Sequence, residues 1–506
     1  MDISEKIDDS IGMIELKFKD CGDLVRRKFP VGEDRNIEVC VFYIDMMASR
    51  DVVEGSIIKN LMIFARNAPP KFDELKPDAY MGIKDGVVTT AEIEDESDLD
   101  KLCDALLCGD TVILVDGFAK GYVVSTKGYP NRGVSAAESE VALQGPKDSF
   151  NELFRVNSAL IRRRIRDTNL KLIQKRVGLR SKTDIGIMYL EDVARPDVVR
   201  MVTERIDNIN IDASLDCGYI EQLIEDDWLS PFPQIQTTER PDKTASAILE
   251  GRVAIISDNS PQALLLPSTF GVFFQASDDY YQRWGIMTFT RALRYAAGCV
   301  ALAMPALYLA AAVFHPSMLP MPLTFKMAEA RRTTPLPAMF EVIIMDLAFE
   351  LIREAGIRLP NVIGSAIGIV GGIIIGQAAV EAGLVSPIVV IIVALTAICS
   401  FAIPSVSLVN GYRLSKYWLV LLAGCFGLFG FWLGVLTLLI HLVSLKSFGI
   451  PYMFPFSSGE LNGYDDIKDS VIRVPLFMMK KRPLFARPGG EMRLNPPETG
   501  NPHVKE

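Results

Sequence analysis

The sequence predicts an α/β soluble N-terminal half with two repeated subdomains, followed by an α-helical integral membrane domain. Three observations predict it. Long apolar stretches occur only from Tyr295 onward, at Tyr295–Phe314, Val362–Val380, Val385–Ile403 and Trp418–Leu445. The first three match the ~20 helical residues needed to cross a ~30 Å hydrocarbon core, and the last is longer. Before Tyr295 the chain reads as an ordinary charged soluble protein, and two of its segments recur in the same order.

The recurrence sets the first half's organisation. Val39–Glu54 (VCVFYIDMMASRDVVE) resembles Ile185–Arg200 (IGIMYLEDVARPDVVR), and Leu107–Asp116 (LCGDTVILVD) resembles Leu249–Asp258 (LEGRVAIISD). Residues 1–36 are expected as an N-terminal extension and 37–148 as the first subdomain. Residues 149–178 are expected as a connecting helical segment and 179–290 as the second subdomain. Val39–Ile44, Gly109–Val115 and Gly251–Ile256 read as strands from their β-branched apolar runs. Asp51 and Asp197 are expected to N-cap the helices after the first strand of each copy. Asp116-Gly117 and Asp258-Asn259 supply tight turns. In Ser149–Gln174 the apolar residues recur at helical spacing, so Arg162, Arg163 and Arg164 read as a solvated helix face that pairs with the acidic stretch Glu92–Asp100, with binding of a phosphate or an acidic partner as the alternative. That stretch reads as an exposed loop leading into a helix.

Composition excludes several functions. A net charge of −9 over 506 residues argues against a nucleic-acid binder, which needs a basic face. The eight cysteines are scattered and read as reduced and structural. The three histidines, His315, His441 and His503, all lie beyond the soluble half, which leaves that half without a His-based triad or zinc site. No phosphate-binding loop, dinucleotide fingerprint or nucleophile elbow is present, so no cofactor, metal or catalytic residue is expected. Met1–Asp20 carries no apolar signal-peptide core, and the soluble half is expected to remain cytoplasmic.

Residues 291–447 are expected to form a membrane domain of about four spans plus an amphipathic helix, and residues 448–506 a basic cytoplasmic tail. Arg291 and Arg294 precede the first span, and Arg473, Lys480, Lys481, Arg482, Arg487 and Arg493 follow the last. Both clusters favour the cytoplasmic side and an even number of crossings, although four spans leave Arg331, Arg332, Arg413 and Lys416 outside, and a fifth would bring Arg413 and Lys416 in while putting the basic tail out. Pro337–Gly356 is the amphipathic piece. It carries Glu341, Asp346, Glu350 and Glu354, and a carboxylate at the bilayer centre costs a few kcal/mol. Asp346, Glu350 and Glu354 share one helix face, whereas Phe340, Ile344, Leu347 and Leu351 lie on another. The helix is therefore expected to be interfacial, re-entrant or water-lining. Glu341, Asp346, Glu350 and Glu354, with Gln377 and Glu381 one turn apart, are candidate pore or gating residues. Salt bridges to Arg353, Arg358 or Arg332 are the alternative for the acidic face. Gly364, Gly368, Gly372 and Gly376 form a stripe expected to pack a neighbouring helix closely.

Several blocks resemble the A subunit of the GerA family of spore germination receptors. They are Arg180–Asp184 (RSKTD), Gly218–Asp226 (GYIEQLIED), Ser230–Gln234 (SPFPQ), Glu239–Lys243 (ERPDK) and Glu250–Ile255 (EGRVAI). Leu351–Pro360 (LIREAGIRLP), Ile374–Ala382 (IIGQAAVEA) and His441–Tyr452 (HLVSLKSFGIPY) continue the match into the membrane half. The family pattern has Glu where Asp346 stands, which keeps the charge. The resemblance implies a multi-pass subunit in the inner membrane of a bacterial endospore. It implies as partners a transporter-like B subunit, a lipoprotein C subunit and further copies of the chain, with a pentamer as the expected assembly. It also implies a ligand-gated cation channel. A same-family accessory subunit of the spore dipicolinate-release system is the alternative within the resemblance. A non-conducting scaffold that recruits cytoplasmic partners is the alternative outside it.

Overall fold

The computed structural model describes residues 3–31, 37–63, 92–129, 140, 144–332, 334–358, 372, 374–457 and 469–493. The chain divides into two units. One comprises residues 1–225, 237–267 and 480–506, and the other residues 226–236 and 268–479.

The first unit contains two copies of one fold. Copy one runs α1 (Ile7–Lys17), β1 (Leu24–Val31), β2 (Ile37–Ile44), the helical stretch α2 (residues 50–63), β3 (Ile93–Glu96), α3 (Leu99–Leu107), β4 (Thr111–Val115) and β5 (Gly121–Val124). Copy two runs α4 (Phe154–Arg162), β6 (Leu170–Val177), β7 (Thr183–Leu190), α5 (Pro196–Asp207), α6 (Cys217–Ile224), β8 (Gln236–Thr238), α7 (Pro241–Leu249), β9 (Val253–Ser257) and β10 (Ala263–Leu266). The sheet orders are β1-β2-β4-β5-β3 and β6-β7-β9-β10-β8, which is the same topology. Register agrees as well: Leu24 pairs with Ile44 and Val31 with Ile37, as Leu170 pairs with Leu190 and Val177 with Thr183. A one-residue slip would turn every buried strand side chain outward, so shared register is a stringent form of identity.

The turn aspartates do more than turn the chain. Asp116 Oδ1 accepts from Ile7 N, and Asp258 Oδ1 accepts from Phe154 N, both at 3.1 Å. Each thus satisfies one of the free N–H groups at the start of the first helix of its copy. Residues 1–36 and 149–178 accordingly supply the first helix and first strand of the sheets that follow them.

Three local expectations change. Asp51 and Asp197 do not cap: Ser49 and Arg195 occupy the cap positions, and the aspartates sit in the first turn. Pro196 fixes this in copy two, because proline is tolerated at the first helical position, where its missing N–H is not needed. The helical spacing after Ser149 holds only through Arg162, and the chain then enters β6. Glu92–Asp100 contributes strand β3 and the cap of α3, where Asp98 accepts from Asp100 N.

The arginine run is not a solvated face. Arg162 is fully buried, and its guanidinium makes a two-point contact with Asp23 while Nη2 donates to Leu170 O at 3.0 Å. Arg164 pairs with Asp148 and Arg163 lies 5.1 Å above the Tyr129 ring. Asp23 belongs to copy one and Arg162 to copy two, so the ion pair locks the copies together. Gly22 N, which donates to Leu172 O, adds a backbone link between them.

The second unit is helical: α8 (Asp278–Tyr281), α9 (Trp284–Leu309), α10 (Met321–Arg331), α11 (Ala338–Arg358), α12 (Pro387–Phe401) and α13 (Val406–Ser444). At one end Phe232, Phe273 and Phe274 cluster with Ile403, Leu408, Tyr412, Leu442 and Tyr452. At the other, Tyr308 and Leu309 cluster with Ala338, Val385 and Val389. Helices α9 to Phe314 and α13 are, by length and composition, sufficient to cross a membrane. Arg291 and Arg294, expected as loop cations, are engaged by Asp279, and Arg291 Nη1 also meets Asp469 at 3.1 Å. Their charge is balanced locally, which reduces their value as orientation markers.

Trp418–Leu445 is not one straight span. Gly427 has φ 63° and ψ −137°, outside helical values. Trp418 Nε1 donates to Thr437 Oγ1 at 3.1 Å, although those residues would stand about 28 Å apart along a straight helix. Helix α13 therefore folds back at Gly427 into a hairpin, with residues 406–426 ascending and residues 428–444 returning. The apolar run continues through the turn, so hydropathy alone could not reveal it.

Candidate functional site

Helix α11 turns its polar face inward. Glu341 and Asp346 are buried together with Val342 and Met345, whereas Phe340, Ile344, Leu347 and Leu351 are exposed. This inverts the pattern of a soluble surface helix. Among apolar helices, the fixed-charge face finds partners in protein and the apolar face is left for lipid.

Asp346 and Lys416 form the centre of the site. Lys416 Nζ donates to Asp346 Oδ1 at 2.7 Å, and the residues are 5% and 6% exposed, respectively for Lys416 and Asp346. Lys416 Nζ also stands 5.3 Å from the Tyr417 ring centroid. One turn along α11, Glu350 pairs with Arg353 and lies 3.7 Å from Arg413 Nε. Two carboxylates thus meet three cations, and the ascending arm of the α13 hairpin supplies two of them. Of the partners considered from sequence, Arg353 is engaged, and the side chain of Arg358 lies outside the described residues. Lys416 and Arg413 are the principal ones, brought there by the hairpin.

The remaining candidates are dispersed. Glu341 Oε2 accepts from Ser386 N at 3.0 Å, and its Oε1 accepts from Thr334 Oγ1 at 3.2 Å. Because Ser386 caps α12, Glu341 sits at that helix's N-terminus, where its charge is favoured. Gln377 donates to Glu381 at 2.8 Å on an exposed surface. Glu354 is exposed. A Cβ on Gly376 would come 3.3 Å from Val390 of α12, and one on Gly372 would come 3.8 Å from Phe349 of α11. Gly364 and Gly368 lie outside the described residues.

A second cluster joins three of the shared sequence blocks. In SPFPQ, Ser230 Oγ lies 2.9 Å from His441 Nε2, and the Phe232 ring packs on Tyr412 and His441. Ser447 Oγ donates to Gln234 O at 2.7 Å, and Phe448 N donates to Asp226 Oδ2 at 2.5 Å. Gly411 is required at this joint: a Cβ there would stand 2.5 Å from Pro231 O. The blocks at Gly218–Asp226, Ser230–Gln234 and His441–Tyr452 therefore contribute to one structure at the foot of the hairpin. Sequence reasoning saw them only as separate strings.

The chain has relatives of closely similar extent. The GerA family model, described as Bacillus/Clostridium GerA spore germination protein, matches residues 12–485. Spore germination protein KA of Bacillus subtilis (strain 168) is 38% identical over 483 residues, which cover 95% of this chain and 87% of that one. Spore germination protein GerLA of Bacillus cereus is 40% identical over 417 residues, 82% and 84% of the two chains. A crystal structure of the N-terminal domain of the A subunit of the Bacillus megaterium spore germinant receptor GerK3 matches at 29% identity and a TM-score of 0.42, over 53% of this chain and 98% of that one. The family match over residues 12–485 and the relatives at 38% and 40% identity carry one conclusion: the chain belongs to the GerA family of spore germination proteins and has its role in spore germination.

Proposed function

We propose that the chain is the A subunit of a nutrient germinant receptor, and that several copies assemble into a ligand-gated cation channel. The observation that carries this reading is the charged core between α11 and α13. A membrane anchor needs only apolar helices, and burying Asp346 with Lys416 costs desolvation that an anchor has no reason to incur. Ionisable groups held among apolar helices mark ion pathways or moving parts. Among the described residues there are too few helices for a self-contained carrier with inverted repeats, so on this reading a pore requires several copies. On this reading Glu341, Asp346, Glu350, Glu354 and Glu381, with the neutral amide of Gln377, act in conduction or gating, as polar groups that hold or release helices rather than as catalysts.

On this reading the receptor partners are a transporter-like B subunit, which holds the nutrient, and a lipoprotein C subunit. Nutrient opens the pore only if it binds more tightly to the complex in its open form. The joint at Ser230, Phe232 and His441 is the expected coupling element, because it fastens SPFPQ to the foot of the hairpin. The hairpin adds a crossing to the expected four, and α11 adds another. With the four expected from sequence these make an even number, which keeps the soluble half and the basic tail on one face of the inner spore membrane, the cytoplasmic one on this reading.

Reconstitution tests the proposal. Full chain with its B and C subunits in liposomes is expected to release K⁺ or Na⁺ on nutrient addition, and liposomes lacking this chain are expected to stay tight. Correct assembly with no nutrient-dependent flux would identify a scaffold instead.

A further inference from the structure

The two α/β copies are completed by different pieces of chain. In copy one the residues after β5 return along the loop that follows β2. Ser49 N donates to Thr126 O at 2.6 Å, Gly128 N donates to Met47 O at 2.9 Å, and Ala48 forms an antiparallel bridge with Lys127. In copy two the equivalents of Met47 and Ala48 are Val193 and Ala194. No local segment can fill that place, because the chain after β10 continues at Ser268 into the helical unit.

The place is filled by the C-terminal tail. Arg487 N donates to Val193 O at 2.8 Å, and Ala194 forms an antiparallel bridge with Ala486. The bond from Gly128 N to Met47 O and the bridge at Ala48 thus recur in copy two as the bond from Arg487 N to Val193 O and the bridge at Ala194. Phe485 and Ala486 are buried, and the Arg252 guanidinium lies 5.5 Å above the Phe485 ring. Gly251, at φ +94°, leaves room for the tail: a Cβ there would stand 2.8 Å from Phe485 O. Gly109, its equivalent at φ +87°, would place a Cβ 2.9 Å from Met47 O. Arg482 Nε donates to Leu249 O at 2.8 Å, and Arg493 pairs with Glu250 at 2.9 Å.

We propose that residues 482–493 are a strap: a removable part of the second α/β copy whose seating on Val193–Ala194 constrains the helical segment spliced between Pro267 and Lys480. The filler in copy one directly follows its own strand β5, with no helical unit between the two. The filler in copy two arrives only after every helix of the second unit has been laid down. Any displacement of the exit from that unit therefore pulls on the seat. The seat is held by the backbone bond from Arg487 to Val193, the side-chain bond from Arg482 to Leu249, one cation–π contact and the Arg493–Glu250 ion pair, all reversible without breaking covalent bonds. Removing the strap would leave the carbonyl of Val193 and the apolar faces of Phe485 and its neighbours in need of new partners, which favours reseating.

Ala194→Cys with Ala486→Cys tests the strap in the full-length receptor in its membrane. Directly paired antiparallel residues have Cα atoms about 4.5–5.5 Å apart, within the range a disulfide spans. The control lock is Ala48→Cys with Lys127→Cys. Mild oxidation with diamide is expected to link both pairs within one chain, as read by mass spectrometry of the joined peptides. Nutrient is expected to slow linking at 194–486 at least threefold and to leave 48–127 unchanged. A receptor locked at 194–486 is expected to release ions at least tenfold more slowly, with dithiothreitol restoring the rate, whereas the 48–127 lock has no effect. Failure to link 194–486 while 48–127 links would overturn the seat. Complete linking with unchanged ion release and no nutrient effect on linking would overturn the strap. The ion-release arm rests on the channel reading, but the linking arm does not. A receptor that never conducts yet shows nutrient-dependent linking would keep the strap and remove the channel.

Discussion

Neutralising Asp346 or Lys416 singly should be far more damaging than neutralising both. At 2.7 Å and an effective dielectric of about 20, two unit charges attract by about 6 kcal/mol. Desolvation of two nearly buried groups offsets much of that attraction, so the intact pair adds little net stability. Removing one partner leaves the other charge buried without compensation, at about 3–5 kcal/mol. Asp346→Asn and Lys416→Met keep side-chain volume close to the original. Each alone is expected to lower the thermal midpoint of the solubilised full-length protein and its abundance in spore membranes. The double variant is expected to recover to within about 1–2 kcal/mol of the parent, because no lone charge remains. A double-mutant cycle reads the coupling directly. Additive losses, with the double variant as unstable as the two singles combined, would show that the two charges do not depend on each other and would refute the reasoning. A recovered fold with lost ion release would locate the charges in gating.

Other expectations can be checked independently. Gly427→Leu forces a side chain into a backbone with φ 63° and a Cβ 2.7 Å from Phe314 Cβ, so the hairpin should fail to close and the protein should not accumulate in membranes, as measured by immunoblot. Asp116→Ala and Asp258→Ala each remove a helix-capping acceptor, and each should cost about 1 kcal/mol, visible as faster hydrogen exchange at the start of α1 or α4 but not both. Glu221 on α6 has its carboxyl pushed up to about 7 by burial, then by Glu225 and Asp216. The folded form therefore keeps a proton that the unfolded chain releases above about pH 4.5. Stability declines as pH rises from about 4.5 to 7, by on the order of 3 kcal/mol, and is flat above. Glu221→Gln should remove that slope and raise the thermal midpoint at pH 8 while leaving it nearly unchanged at pH 4.5.

The duplicated half was legible because its signal is periodic and local. Apolar β-branched strands, turn aspartates and glycines recur at the same places in both copies, and such positions leave few alternatives in register. The first helix and strand of each copy were harder to read. Ile7–Lys17 and Phe154–Arg162 share little sequence, and what equates them is a hydrogen bond from a distant aspartate. Arg162 illustrates a related limit. A basic run on a helix is usually solvated, and only Asp23, more than a hundred residues earlier, makes its burial tolerable.

In the helical half the charges were visible, but their partners were not. Asp346 and Glu350 could be placed on one face of a helix from spacing alone. Whether that face meets water, lipid or protein depends on the path of Trp418–Leu445, and a continuous apolar run contains little to mark a reversal. The marker is Gly427, one of several glycines in a stretch where glycine also serves close packing. Once the chain reverses there, Arg413 and Tyr412 lie at the end of the hairpin that also contains His441, and Lys416 stands opposite Asp346. A four-span reading with a straight Trp418–Leu445 would place Arg413 and Lys416 across the membrane from the basic tail, against the usual distribution of cations. The fold-back removes that conflict and supplies partners to the acidic helix at the same time. One glycine thus accounts for two features that sequence reasoning had treated as separate difficulties.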